Sequence, residues 1–397
     1  MEPLILRSFT MTSAVGAGLA PTLDALRHQR SGIARKAWET VDLDTCIGEV
    51  AGLDDVEIRP DLRAFDCRNN RLAQIALEQD GFADAVRDSV TQWGPRRVGV
   101  FLGTSTSGIL SSEVAYRHRD PLTGALPPGL DYRHTHNSFS VADFVRQYFG
   151  VAGPAFVVST ACSSSGKVFA SAQRMVDLGL IDAAVVGGVD SLCLTTLYGF
   201  NSLQLISTQP CRPFDRDRDG ITIGEAAAFG LLERSTRSAP GSIVLSGIGE
   251  SSDAHHMSAP HPQGLGATLA MQSALQMAQL DAGAIDYIAL HGTSTPSNDA
   301  AEAKAVSAVF GARTPCSSLK GHIGHTLGAA GAANAVICAL ALRHDFAPAG
   351  VGTREVDPAL PVNYVLDNIR KPIRHALSNS FGFGGSNCSL VLSKVPA

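Results

Sequence analysis

A chain of 397 residues with 45% hydrophobic residues can bury a large core, holds one large or two medium globular units, and is not a disordered segment. Net charge is -5 with 17% charged residues and no long run of one sign, which argues against nucleic acid as the natural partner. No stretch reaches the roughly 18 uninterrupted apolar residues of a membrane span, and MEPLILRSFTMTSAVGAG lacks a basic region followed by a signal-type apolar core, so a cytoplasmic protein with no membrane span is expected.

Along the chain, short apolar runs ending in Gly or Ser alternate with longer amphipathic stretches, the pattern of α/β layers around a buried sheet. RRVGVFLGTSTSG (96–108) reads as a strand running into a small-residue loop, and the Pro/Gly-rich HRDPLTGALPPGLDYRHTHN (118–137) as a long excursion or interface loop. AFVVSTACS (155–163) is a second strand, followed by a helix from about 164 to 179. DAAVVGGVDS (182–191) is a third strand. A weak boundary at RSTRSAPGS (234–242) separates 1–240 from 241–397, two halves of similar α/β design with no literal sequence repeat. LGATLAMQSALQMAQLD (265–281) and AAEAKAVSAVFG (300–311) are helices, the second expected to be capped by Asp299, and between them DYIALHGTSTP (286–296) is a strand and loop. SSLKGHIGHTLGAAGAANAVICALAL (317–342) sets Lys320 and His325 before an alanine-rich helix. NSFGFGGSN (379–387) is too glycine-rich for a strand and should bring backbone N–H groups near a ligand.

The eight cysteines are spread singly with no C-x-x-C pair, which indicates reduced thiols with neither a disulfide framework nor a zinc ribbon. Cys162 stands apart because it lies at a strand-to-helix elbow among small residues. Exposed N–H groups and the helix dipole there are expected to lower its pKa toward nucleophilic use. His291 follows an apolar strand at the kind of sheet edge where α/β enzymes build sites. Each signal is weak alone, and a buried structural thiol remains the plain alternative for Cys162.

Together, STACSSSG, CRPFDRDRDGITIGEA, SSDAHHMSAP, HGTSTPSNDAAEAKA, KGHIGHTLGAAGA and NSFGFGGSN resemble, in order and spacing over essentially the whole chain, the β-ketoacyl-ACP synthases of the thiolase-like superfamily. The resemblance implies a thiolase-like α/β fold of two similar βαβαβαββ halves in five α/β/α/β/α layers. It implies decarboxylative condensation of an acyl chain with malonyl-ACP in fatty acid, polyene or polyketide synthesis. Cys162 would be the acyl-accepting nucleophile, His291 and His325 the pair that drives decarboxylation, Lys320 the active-site lysine and Glu302 the acid that pairs with it. Thr293 and Thr295 would bind the phosphopantetheine arm, Phe381 and Thr106 would contact substrate, and Phe383 would gate the site, its amide completing an oxyanion hole with that of Cys162. No tightly bound cofactor is implied, since phosphopantetheine arrives on acyl carrier protein. The partners implied are that carrier and a second subunit, as homodimer or as heterodimer with a related ketosynthase-like chain, with 105–145 contributing to the interface. The same family contains chain-length factors, non-catalytic partners lacking the nucleophile, and the presence of Cys162, His291 and His325 argues against that alternative.

Three look-alikes have weaker support. HIGH (322–325) matches a class I aminoacyl-tRNA synthetase signature but lies in the C-terminal third with no KMSKS-like loop after it. SSSGK (163–167) lacks the glycine and the Ser or Thr that a P-loop needs at Ala161 and Val168. The histidine pairs 134/136, 255/256 and 322/325 invite a metal reading, but no set of three or four ligands stands free of a better role, so no metal is expected. Departures from the family pattern bear on specificity: GEAAA (224–228) in place of a GEGAG-type turn, Gly321 after the lysine, Lys167 in the nucleophile helix, and Thr106 where a bulky aliphatic residue is common. Thr106 is therefore expected to make the acyl pocket more polar or reshaped.

Overall fold

The computed structural model describes residues 2–234 and 239–396. Of the expected boundary segment 234–242, residues 235–238 lie outside the described residues. The sheet that organises the molecule is built from β1 (Leu4–Ser13), β2 (Val98–Gly103), β3 (Ala155–Val158), β4 (Ala183–Asp190), β5 (Ala226–Glu233), β6 (Ile243–Ser252), β7 (Tyr287–Ala289), β8 (Pro315–Ser317), β9 (Asn363–Tyr364), β10 (His375–Gly382) and β11 (Ser386–Lys394). Their spatial order is β9-β8-β7-β10-β11-β6-β1-β5-β4-β2-β3.

That order contains a duplication. In the first half the sequence of neighbours is third, second, fourth, fifth, first strand, and the second half repeats it with β8, β7, β10, β11 and β6. The strand directions repeat as well: β2 runs parallel to β3 and β4, and β7 runs parallel to β8 and β10. The last strand of each half is antiparallel to both neighbours. The halves meet where β1 pairs with β6 at Leu4↔Leu245 and Ile5↔Val244. The missing sequence repeat is thus compensated by a repeat of topology, because the apolar period and not residue identity sets which strand is buried.

Helices α1 (Arg68–Leu77), α2 (Phe82–Trp93) and α3 (Ser140–Phe149) cover the outer face of the first half, where Leu72, Phe82, Val86 and Phe144 pack against β2, β4 and β5. α4 (Ser164–Asp177) lies on the inner face. The second half carries α5 (Leu265–Ala278) and α6 (Pro296–Phe310) outside and α7 (Ala330–His344) inside, against α4. The two halves of the sheet, two outer helical layers and one shared central layer make the five expected layers. Every residue of α7 from Ala330 to Leu342 is buried, and all but Asn334 are apolar. Leu327–His344 is long and apolar enough to cross a membrane, yet 89% of it is buried between the sheets, which accounts for its composition.

Small residues let the two central helices meet. A β-carbon on Gly331 would lie 2.4 Å from the Gly166 nitrogen and 2.8 Å from Ser380 Oγ. Two local expectations are corrected. Asn379–Gly382 does form the end of β10, pairing with Ser386–Ser389, and only Phe383–Gly385 leaves the strand, with Gly384 at φ +81°. α6 begins at Pro296 with Thr295 as its N-cap, whereas Asp299 lies in the first turn and reaches back to the loop before the helix.

Candidate active site

The strand ends of both halves converge on one cavity holding about 580 Å³ of empty space, open mouth included, lined by Cys162, His291, His325, Phe381, Phe383 and Phe200 among others. Cys162 follows β3, and the chain turns there because Ala161 takes φ +51°. The hydroxyl run around it has a structural task. Ser163 Oγ donates to the Thr160 carbonyl at 2.9 Å, Ser164 Oγ accepts from the Thr160 amide at 2.9 Å, and Ser165 Oγ accepts from Ala332 of α7 at 2.9 Å. These bonds compete successfully with water for backbone groups that a sharp elbow leaves unpaired.

Cys162 Sγ and ring nitrogens of His291 and His325 all lie within 4.8 Å of one another, and all three residues are buried. The two imidazoles meet edge to face, 5.5 Å between centroids. The backbone N–H groups of Cys162 itself and of Phe383 face the thiol. Burial is nevertheless the largest influence on that thiol and pushes its pKa up to about 11, with Asp190 adding to the rise and Lys320 opposing it. At 5% exposure the cost of burying a thiolate outweighs the Lys320 ammonium and the two amides, so the elbow holds a raised pKa where a lowered one was expected.

Both histidines are held well below the ordinary imidazole pKa, first by burial and then by the Lys320 ammonium, so both rings are neutral at neutral pH. The Leu327 amide donates to His325 Nδ1 at 3.2 Å, which makes that nitrogen the acceptor and leaves the proton on Nε2. Lys320 Nζ lies 3.5 Å from His291 Nδ1, again placing a donor on the δ side. Both rings then present N–H groups, which suits hydrogen bonding to an oxygen and opposes metal ligation through the same nitrogens.

Lys320 is buried, its pKa lowered by that burial, and its ammonium donates to the His291 carbonyl. Glu302 is not its ion-pair partner, contrary to expectation. Its carboxylate accepts from the amides of His291 at 2.8 Å and Gly292 at 2.7 Å and from Asn379 Nδ2 at 3.1 Å, which uses its oxygens on the loop carrying His291. Thr293 and Thr295 line the cavity with their hydroxyls 2.9 Å apart. Phe381 lines it as well, its ring 5.9 Å from that of His291, and Phe383 packs at 5.6 Å against Phe200.

Of the expected site residues, Lys320, Glu302 and Thr106 do not line the cavity, and Thr106 is engaged elsewhere. It is buried with its hydroxyl donating to Asp190 Oδ1 at 2.8 Å, so it adds no polarity to the pocket. Lys167 pairs with Glu250 at 3.4 Å, and His322 is buried between the carbonyls of Arg30 and Ala349 at 2.8 and 3.3 Å. Sequence reasoning missed Asp190 and Asn379. A signal existed for Asp190: a charged residue ending an apolar strand at the edge that carries the site.

Two family models cover most of the chain, "Beta-ketoacyl synthase, N-terminal domain" over residues 11–238 and "Beta-ketoacyl synthase, C-terminal domain" over 243–354. Among proteins of known role, the chain is 30% identical to 3-oxoacyl-[acyl-carrier-protein] synthase 2 of Vibrio harveyi over 99% of this chain and 98% of that one. It is 38% identical to the mitochondrial 3-oxoacyl-[acyl-carrier-protein] synthase of Arabidopsis thaliana over 63% of this chain and 59% of that protein. Among solved structures it matches one chain of the complex of the ketosynthase ApeO with its chain length factor ApeC, from Xenorhabdus doucetiae, at 38% identity and TM-score 0.91, covering 99% of this chain and 98% of that one.

Proposed function

Because the chain belongs to the β-ketoacyl synthase family, we propose that it condenses an acyl group held on Cys162 with a malonyl group delivered on acyl carrier protein. The observation that carries this reading is the meeting of Cys162, His291 and His325 within 4.8 Å in a cavity whose thiol faces two backbone amides.

In the first half-reaction the thiol gives up its proton as Sγ attacks the acyl thioester. The carrier's sulfur leaves protonated, and the acyl group stays on Cys162, so one difficult step becomes two. The buried, neutral resting thiol protects the site from stray electrophiles, and charge builds on sulfur only as the bond forms. In the second half-reaction the C–C bond to the carboxylate breaks, CO2 leaves, and the electron pair becomes an enolate. The Nε2–H groups of His291 and His325 hydrogen bond its oxygen, already in place before charge develops. The enolate carbon then attacks the acyl carbonyl, and the amides of Cys162 and Phe383 hold the tetrahedral oxyanion until the C–S bond breaks and the released Cys162 thiolate takes one proton from solvent. Thr293 and Thr295 offer hydroxyls along the cavity for the amide groups of the phosphopantetheine arm, which comes and goes with the carrier and is not a resident cofactor.

A second ketosynthase-like chain is the proposed subunit partner, in keeping with the likeness to a chain of a ketosynthase solved together with its chain length factor. An acyl carrier protein bearing a labelled acyl chain tests the reading. Label should appear on Cys162, disappear in Cys162→Ala, and move to a 3-oxoacyl product with release of CO2 when malonyl-carrier is added. Absence of label on Cys162, with or without a partner chain, would sink it.

A further inference from the structure

Asp190 ends β4 with its side chain fully buried, outside the cavity wall. Its two oxygens serve two different loops. Oδ1 accepts from Thr104 Oγ1 at 2.7 Å and from the Ser105 amide, the Thr106 amide and Thr106 Oγ1 at 2.8 Å each, gathering the turn after β2. Ser105 Oγ in turn lies 3.5 Å from the Ala161 carbonyl, beside the nucleophile. Oδ2 accepts from the Gly328 amide at 2.5 Å, in the turn that follows His325.

That turn is shaped against the carboxylate. Leu327 takes φ +50°, its amide donates to His325 Nδ1, and a β-carbon on Gly328 would lie 2.8 Å from Asp190 Oδ2 and 2.9 Å from Ser105 Oγ. None of the described donors to Asp190 is a cation, so its hydrogen bonds alone compensate the burial of the carboxylate.

We propose that Asp190 is a positioning residue: through the Leu327–Gly328 turn its Oδ2 fixes the tautomer and aim of His325, while its Oδ1 separately fixes the loop beneath the Cys162 elbow. The inference rests on the condensing reading for its kinetic consequence but not for its structural one. Because the two oxygens have separate duties, an isosteric amide divides them. In Asp190→Asn the orientation that keeps the four Oδ1 bonds points an NH2 group at the Gly328 N–H, donor against donor, and pushes that turn away from His325.

In the full-length Asp190→Asn protein, CO2 release from malonyl-carrier should fall about tenfold or more, while labelling of Cys162 by acyl-carrier stays within about threefold of the parent. The ¹⁵N resonances of His325 should lose the pure Nε2–H signature. Gly328→Ala pushes on the same link from the other side and leaves the Asp190 charge in place; because its β-carbon also meets Ser105 Oγ, its deciding readout if Asp190→Asn does not fold is the His325 tautomer, which should change in the same way. Equal losses in both half-reactions, or undiminished CO2 release from a folded variant, would overturn the proposal. If the parent itself performs neither half-reaction, the condensing reading fails instead, and an unchanged His325 tautomer in Asp190→Asn would then refute the positioning role on its own.

Discussion

Glu302 holds His291 by its backbone: Oε1 accepts the His291 amide at 2.8 Å, and Oε2 accepts the neighbouring Gly292 amide at 2.7 Å. The carboxylate therefore acts on where the imidazole sits and only at a distance on the charge of Lys320. Glu302→Gln keeps one acceptor oxygen and turns an NH2 group toward a buried N–H. Leaving such a donor unsatisfied costs about 1–3 kcal/mol. Urea unfolding should show a loss of that size, and CO2 release from malonyl-carrier should drop with it. A variant as stable and as active as the parent would show that the backbone clamp is dispensable.

The resting thiol gives a pH prediction with a definite sign. A pKa pushed up to about 11 means that Cys162 is neutral at pH 7 and that its thiolate fraction grows as pH rises toward that value. Alkylation of Cys162 by iodoacetamide should accelerate about tenfold per pH unit from pH 7 to 10, without the plateau near pH 8.5 of an ordinary thiol. Lys320→Met removes the cation that opposes the rise and should slow the reaction at every pH in this range. A rate independent of pH above 7 would mean that the thiolate is already formed in the folded protein.

How far the sequence could be read follows from which forces act locally. The strands ending near Gly103, Val158 and Ala289 and the helices after Cys162 and His325 were legible, because apolar period and small-residue loops encode them along the chain. Asn379–Gly382 was misread because ladder pairing with β11, a tertiary contact, overrides the weak strand preference of glycine-rich sequence. The partner of Lys320 was misread for a related reason. Which donor reaches a buried carboxylate depends on distances of a few ångströms between separate loops, and spacing in sequence does not carry them. The same applies to Thr106, whose place in the small-residue loop after β2 was legible while the turn of its hydroxyl toward Asp190 was not.

Three buried imidazoles make stability sensitive to acid. His291, His322 and His325 all have pKa values lowered by burial, so above about pH 6.5 they are neutral in both folded and unfolded states and contribute no pH dependence. As pH falls below that value the unfolded chain binds protons that the folded protein refuses, and stability declines by up to about 1.4 kcal/mol per pH unit for each ring. Glu302 works in the other direction, since burial pushes its pKa up to about 7 and its folded form takes the proton first. The clean measurement is therefore a difference. His322→Gln removes one imidazole outside the cavity, and urea unfolding between pH 7 and pH 5 should show a shallower decline than the parent. Parallel curves would show that His322 protonates in place, between the carbonyls of Arg30 and Ala349.

The crossing of the two central helices sets the site, because α4 begins at the Cys162 elbow and α7 begins after His325. Gly331 lies where they touch, and a β-carbon there would meet the Gly166 nitrogen at 2.4 Å, its Cα at 2.9 Å and Ser380 Oγ at 2.8 Å. Neither helix can yield without moving a sheet, since α4 packs on β2 and β4 while α7 packs on β10. Gly331→Ala should gain the intrinsic helical advantage of alanine, up to about 1 kcal/mol, and lose more to overpacking, typically about 1–3 kcal/mol. The net expected result is a lower unfolding free energy and slower acylation of Cys162, read by urea titration and by the labelled acyl-carrier assay on the same preparation. A stabilised Gly331→Ala protein with full acylation would mean that the central layer can open at this crossing without cost to the elbow.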